Sequence, residues 1–146
     1  MSIPERSLVS EVAEDWIREI LRQESQGARL TVSGTCMEPS LKEGSKITLR
    51  RFDGVVRVGD VVLLSTAAGL RLHRVLLRFG DRIRTKGDRG TYLDPSSPLS
   101  AVIGVCETNE NRFTRLVRAA GNLGRVFARS WTASGRADGA HAGLLP

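Results

Sequence analysis

Between Ser7 and Glu24 the apolar residues Val9, Val12, Ala13, Trp16, Ile17, Ile20 and Leu21 recur at intervals of three and four, separated by Glu11, Glu14, Asp15, Arg18, Glu19 and Arg22. At 3.6 residues per turn this spacing lines up one apolar stripe, so residues 1–27 are predicted to form an amphipathic helix that covers a sheet face or a partner, with Gln26-Gly27 ending it. Beyond Gly27 the period falls to two, or to short apolar runs. Strands are predicted at Arg29 to Ser33, Lys46 to Arg51, Asp60 to Ser65, Leu70 to Phe79, Arg82 to Lys86 and Ala101 to Glu107. Turn pairs such as Glu43-Gly44, Asp53-Gly54, Ala68-Gly69 and Gly80-Asp81 punctuate them. The connections are too short for parallel crossovers, so residues 28–108 should form a mainly β unit, a small antiparallel sheet or partly closed barrel.

A helical period returns after Asn109. Phe113, Leu116, Val117, Ala120, Leu123, Phe127 and Trp131 share one side, with Arg112, Arg115, Arg118, Arg125 and Arg129 largely on the other. Residues 109–131 are therefore expected to be a basic amphipathic helix, suited to peripheral contact with an anionic membrane or to docking on the body of the protein. The Gly/Ala-rich stretch 132–146 reads as a disordered tail.

Composition narrows the setting. The 146 residues are 40% hydrophobic and 26% charged, enough for one domain with a core. No apolar run reaches the roughly 18 residues of a membrane span, and the N-terminus lacks a secretory pattern, so a cytoplasmic chain without a transmembrane anchor is expected. Net charge is +6, with the acidic excess in the first thirty residues and the basic excess beyond. This favours an anionic surface as partner; nucleic acid is not expected. Cys36 and Cys106 fit neither a disulfide framework nor a zinc pattern, and no cofactor is expected.

Chemistry centres on Val32-Ser33-Gly34-Thr35-Cys36-Met37-Glu38-Pro39-Ser40-Leu41, where a glycine leads into a cysteine and a proline stops any helix from running through. Such a bend presents one side chain. A thiol becomes a nucleophile when a base removes its proton, and histidine is the usual base, oriented by a third group. Only two histidines occur. His141 lies in the tail, leaving His73 in the predicted strand Leu70-Arg71-Leu72-His73-Arg74-Val75-Leu76. Taken alone, a strand histidine is more often a packing residue. Two turn aspartates, Asp88 and Asp94, follow it and are candidates for the third group.

Together these segments resemble signal peptidase I. Gly34-Thr35-Cys36-Met37-Glu38-Pro39-Ser40-Leu41 resembles the family's Gly-x-Ser-Met-x-Pro-Thr-Leu box, and Val58-Gly59-Asp60-Val61-Val62 its Gly-Asp-Val-Val strand. Leu72-His73-Arg74-Val75 resembles the Ile-His-Arg-Val segment of the endoplasmic-reticulum-type branch, which uses a histidine base. Thr85-Lys86-Gly87-Asp88 resembles Thr-Lys-Gly-Asp, and Val102-Ile103-Gly104-Val105 the closing Val-Val-Gly strand. The resemblance covers about residues 30 to 106. It implies a hydrolase that binds an extended peptide or precursor protein beside a sheet edge and cuts after small residues. Cys36 would be the nucleophile, His73 the base, and Asp94 or alternatively Asp88 its orienting group. Gly34, Thr35 and Met37 would form the substrate and oxyanion surroundings. Three departures stand out: cysteine replaces serine, the N-terminal transmembrane anchor is not seen, and Gly44-Ser45 stands where Gly-Asp is usual. A catalytically silent peptide-binding module is the alternative expectation.

Overall fold

A computed structural model describes the backbone of residues 8–138 and the side chains of residues 12–130. It contains helix α1 (Leu8–Gln23), strands β1 (Ala28–Thr31), β2 (Lys46–Arg51), β3 (Val61–Thr66), β4 (Gly69–Phe79), β5 (Arg82–Lys86), β6 (Ser97–Pro98) and β7 (Val102–Glu107), and helix α2 (Arg112–Asp138). The strands form one open antiparallel sheet in the order β1-β2-β7-β3-β4-β5-β6. Its two edges, β1 and β6, do not pair with each other, so the sheet is not closed by hydrogen bonds. The expected antiparallel architecture with flanking helices is present.

Strand β3 sits at the centre and is apolar and buried from Val61 to Leu64, which is the composition of a strand covered on both faces. Alternation sends Val61 and Leu63 into one core with Ile47, Leu49 and Ile103, and Val62 and Leu64 into a second with Val75, Ile83 and Val105. Helix α1 closes the first core with Ile17 and Leu21. It must then reverse into β1, and Gly27 takes φ +82° there, where a Cβ would lie 2.2 Å from the Leu49 carbonyl oxygen.

Sequence and structure diverge in two places. The two-residue strand β6 contains a proline and carries no periodic signal. Helix α2 runs to Asp138, beyond the expected end at 131; residues 139–146 of the expected tail, and the side chains of Val9 and Trp131, lie outside the described residues.

The sequence left the orientation of α2 open. Its polar face, not its apolar face, packs on the protein. Arg115 pairs with Asp60 (3.2 Å) and Arg118 with Glu110 (2.5 Å), while Arg125 donates to the Asp88 carbonyl (2.8 Å). Ala119 and Asn122 are buried between them. Phe113 and Phe127 are 75% and 69% exposed. The Asp60 carboxylate before β3, the Asp88 carbonyl after β5 and Glu110 just ahead of α2 supply the partners that make the arginine side the inner one.

Candidate active site

The bend at Cys36 is held from below and behind. Met37 is buried in the first core, Glu38 N–H donates to the Thr35 carbonyl (3.1 Å), and Leu41 N–H donates to the Met37 carbonyl (2.9 Å). Arg89 N–H, from the segment after β5, donates to the Cys36 carbonyl (3.0 Å), tying the bend to the Thr85–Asp88 segment. Met37 therefore anchors the bend and contributes to a cleft wall, whereas Gly34, Thr35 and Cys36 are exposed, and of these three Cys36 borders the cleft.

Pairing between β4 and β5 begins only at Arg74 with Lys86, so the preceding half of β4 keeps a free edge. Strand β1 pairs with β2 on one side only. Between these two edges lies a cleft of about 660 Å³. Leu30 and Val32 line it from one edge and Leu70 and Leu72 from the other, with Ile17 of α1 contributing to the wall. Cys36, His73 and Asp94 all border the cleft.

The two candidate aspartates are separated by strand geometry. His73 and Arg74 are neighbours on β4 and so point to opposite faces. On the His73 side, Nδ1 lies 2.5 Å from an Asp94 carboxylate oxygen that also accepts from the Thr85 hydroxyl at 2.7 Å. Arg71 reaches the other oxygen at 3.3 Å. Burial works against charge on Asp94, but the His73 and Thr85 hydrogen bonds, with the His73 and Arg71 charges, hold its carboxyl below the usual value. Asp94 is thus an ionised partner fixed on Nδ1, leaving Nε2 as the ring atom available to the cleft side.

On the Arg74 side, Asp88 accepts from Arg74 Nε (2.9 Å) and an Arg74 terminal nitrogen (2.8 Å), from Asn122 Nδ2 (2.7 Å) and from the Ser40 hydroxyl. Burial opposes its ionisation. The Arg74 and Ser40 hydrogen bonds and the Arg74 charge outweigh it and depress the carboxyl pKa. Asp88 makes no hydrogen bond to His73; its ties are to Arg74 and α2.

The Cys36 sulfur finds its hydrogen-bond acceptor in the Leu72 carbonyl, at 4.0 Å, one residue before the histidine. No hydrogen bond joins it to the His73 ring in this state. Partial burial raises the thiol pKa above its ordinary value, against the opposing pull of its own backbone amide and Arg71. Cys106 is different in kind: burial, reinforced by Glu107, pushes it up to about 11, and it packs in the first core.

Gly87, Arg71 and Thr85 belong to the site although sequence reasoning assigned them no role there. A Cβ on Gly87 would lie 2.6 Å from the Cys36 carbonyl oxygen and 3.1 Å from His73 Nε2, so only glycine lets the bend and the ring approach. The signal was present in Thr85-Lys86-Gly87-Asp88, but a glycine beside an aspartate reads first as a turn. Among the described residues no group of three or more His, Cys, Asp and Glu side chains converges as a metal site would require. No described helix is long and apolar enough to cross a membrane. Compared with protein-family models, curated proteins and solved structures, the chain finds no match.

Proposed function

We propose that this protein is a cytoplasmic endopeptidase of signal peptidase I type that cuts a leader or precursor peptide after small residues, with Cys36 as nucleophile and His73 as base. The observation that carries the reading is the convergence of Cys36, the His73–Asp94 pair and two free strand edges on one cleft. An extended peptide fits between β1 and β4 by completing backbone hydrogen bonds on both, with alternate side chains against Leu30 and Val32 or Leu70 and Leu72.

In this reaction His73 Nε2 accepts the thiol proton as the sulfur adds to the scissile carbonyl carbon, and the Cys36 amide with the Thr35 hydroxyl receives the developing oxyanion. Collapse expels the amine, which takes its proton from the imidazolium and leaves a thioester. Water then adds to the thioester with His73 again as base, and the acid product departs with the thiol restored. Asp94 stays ionised on Nδ1–H, holding the ring orientation and stabilising the imidazolium. The turn of the thiol from the Leu72 carbonyl toward the ring accompanies substrate entry, since a peptide paired with β4 competes for that edge.

The alternative is a peptide-binding module without turnover. The sulfur's contact with the Leu72 carbonyl and its raised pKa favour this second reading. A peptide chloromethyl ketone ending in alanine separates the two. An enzyme is alkylated at Cys36 and not at Cys106, and His73→Ala slows alkylation at least about tenfold. Equal labelling of both thiols, indifferent to the histidine change, rejects the peptidase. Precursor binding and biological output that survive Cys36→Ala identify the module.

A further inference from the structure

The inward turn of the arginine side of α2 leaves Phe113, Leu116, Val117 and Phe127 on an outward stripe about 21 Å long at 1.5 Å per residue. Stripes of this kind on a monomer mark interaction surfaces. A second feature adjoins it. Leu116 also rims a pocket of about 420 Å³ that Val55 and the arginines at 50, 57, 112 and 115 share. The pocket's two carboxylates are already engaged. Asp60 accepts from the Arg57 amide (2.9 Å) and from Arg115 (3.2 Å). Asp53 accepts from the Val55 amide (3.0 Å) and lies 4.0 Å from Arg50. The side chains of Arg57 and Arg112 have no acidic partner among the described residues.

We propose that this combined surface docks on a bilayer containing anionic phospholipid, with a headgroup phosphate in the arginine pocket and the α2 stripe among the upper acyl chains. A surplus of guanidinium beside exposed phenylalanine and leucine matches the two chemistries such a lipid presents side by side, and arginine stems at the rim can keep their heads at the headgroup level. Charge selects this occupant over a second copy of the chain, because self-association would bring two arginine-rimmed faces of a +6 protein together. The sequence pattern suggested a membrane contact through this basic amphipathic helix; Arg115, Arg118 and Arg125 are turned to Asp60, Glu110 and Asp88, and the apolar stripe together with Arg112 is left to make the contact. The proposal is independent of the peptidase reading.

The test is cosedimentation of the full chain with phosphatidylcholine vesicles, with and without phosphatidylglycerol. The wild type should pellet with the anionic vesicles, less so as salt rises. Arg57→Ala/Arg112→Ala should lower partitioning roughly 30-fold, about fivefold per arginine. Phe113→Ser/Phe127→Ser should lower it as well, and both variants should melt with the wild type because all four side chains are exposed. Vesicle binding unchanged in either variant overturns the paired surface. A wild type that stays in the supernatant overturns it too, in favour of a second copy if it sediments as a dimer that Phe113→Ser/Phe127→Ser splits.

Discussion

Replacing Asp88 by asparagine separates the two aspartates by experiment. The side chain keeps its size but loses the charge that faces the fully buried Arg74. Breaking one partner of a buried ion pair costs about 3–5 kcal/mol when the remaining charge is stranded. Arg74 is not entirely stranded, because Glu110 (3.1 Å) and the Gly59 carbonyl (2.8 Å) still hold it. The expected loss is therefore at the lower end, about 3 kcal/mol. For a chain of this size that corresponds to a melting temperature lower by roughly 6–12 °C. Burial alone would raise the Asp88 pKa, yet the Arg74 and Ser40 contacts keep it depressed. Its stabilisation is complete above the unfolded-state value of about 3.9 and is lost as pH falls through the lower folded value. The gap between wild type and Asp88→Asn should thus be constant from neutral pH down to about 4 and close below it. Thermal melts across pH measure the gap. Alkylation of Cys36 by the peptide chloromethyl ketone, well below both melting points, should change by less than about twofold. Asp94→Asn should do the reverse: a small change in melting and at least a tenfold slower alkylation, since the orientation of His73 is lost. A melting shift under about 2 °C for Asp88→Asn, or a larger alkylation defect than that of Asp94→Asn, would refute the division of roles.

Two further outcomes follow from the site. A small neutral alkylating reagent, unable to occupy the cleft, should label Cys36 with a pH midpoint above the ordinary thiol value because burial disfavours the thiolate. Cys106, raised to about 11, should stay unlabelled until the protein unfolds, as mass spectrometry of the labelled peptides will report. Gly87→Ala should destabilise the fold by about 1–3 kcal/mol and slow peptide-directed alkylation, because the added methyl group meets the Cys36 carbonyl and the His73 ring; unchanged stability and rate in urea titrations and alkylation assays would show that the approach is looser than 2.6 Å.

Local periodicity was sufficient for most of the sheet. Strands β2 and β5 lie where alternation bounded by turn residues puts them, because a strand's two faces and its flanking turns are short-range properties. The doubly apolar run of β3 likewise announces a strand covered on both sides. The Cys36 bend and the histidine on β4 were legible for the same reason: each is a local arrangement of a few residues. Asp88 and Asp94 could not be told apart in this way, since both are turn aspartates close behind β5. Their assignment depends on the alternation of His73 and Arg74 across β4 and on which carboxylate the returning chain brings to each face.

Helix α2 marks the limit most clearly. Its residues state that a helix forms and that one side is apolar and the other arginine-rich. They do not state which side faces inward, because burial of an apolar stripe is the default only when the body offers an apolar surface. Here the body offers Asp60 and Asp88, contributed by segments that meet only after the sheet has formed, while Glu110, just ahead of the helix, holds Arg118. Elements and their periods follow from forces between near neighbours along the chain. The inner side of α2, the pairing of His73 with Asp94 and the width of the cleft follow from charges and strand edges that are far apart in sequence and adjacent only in the folded protein.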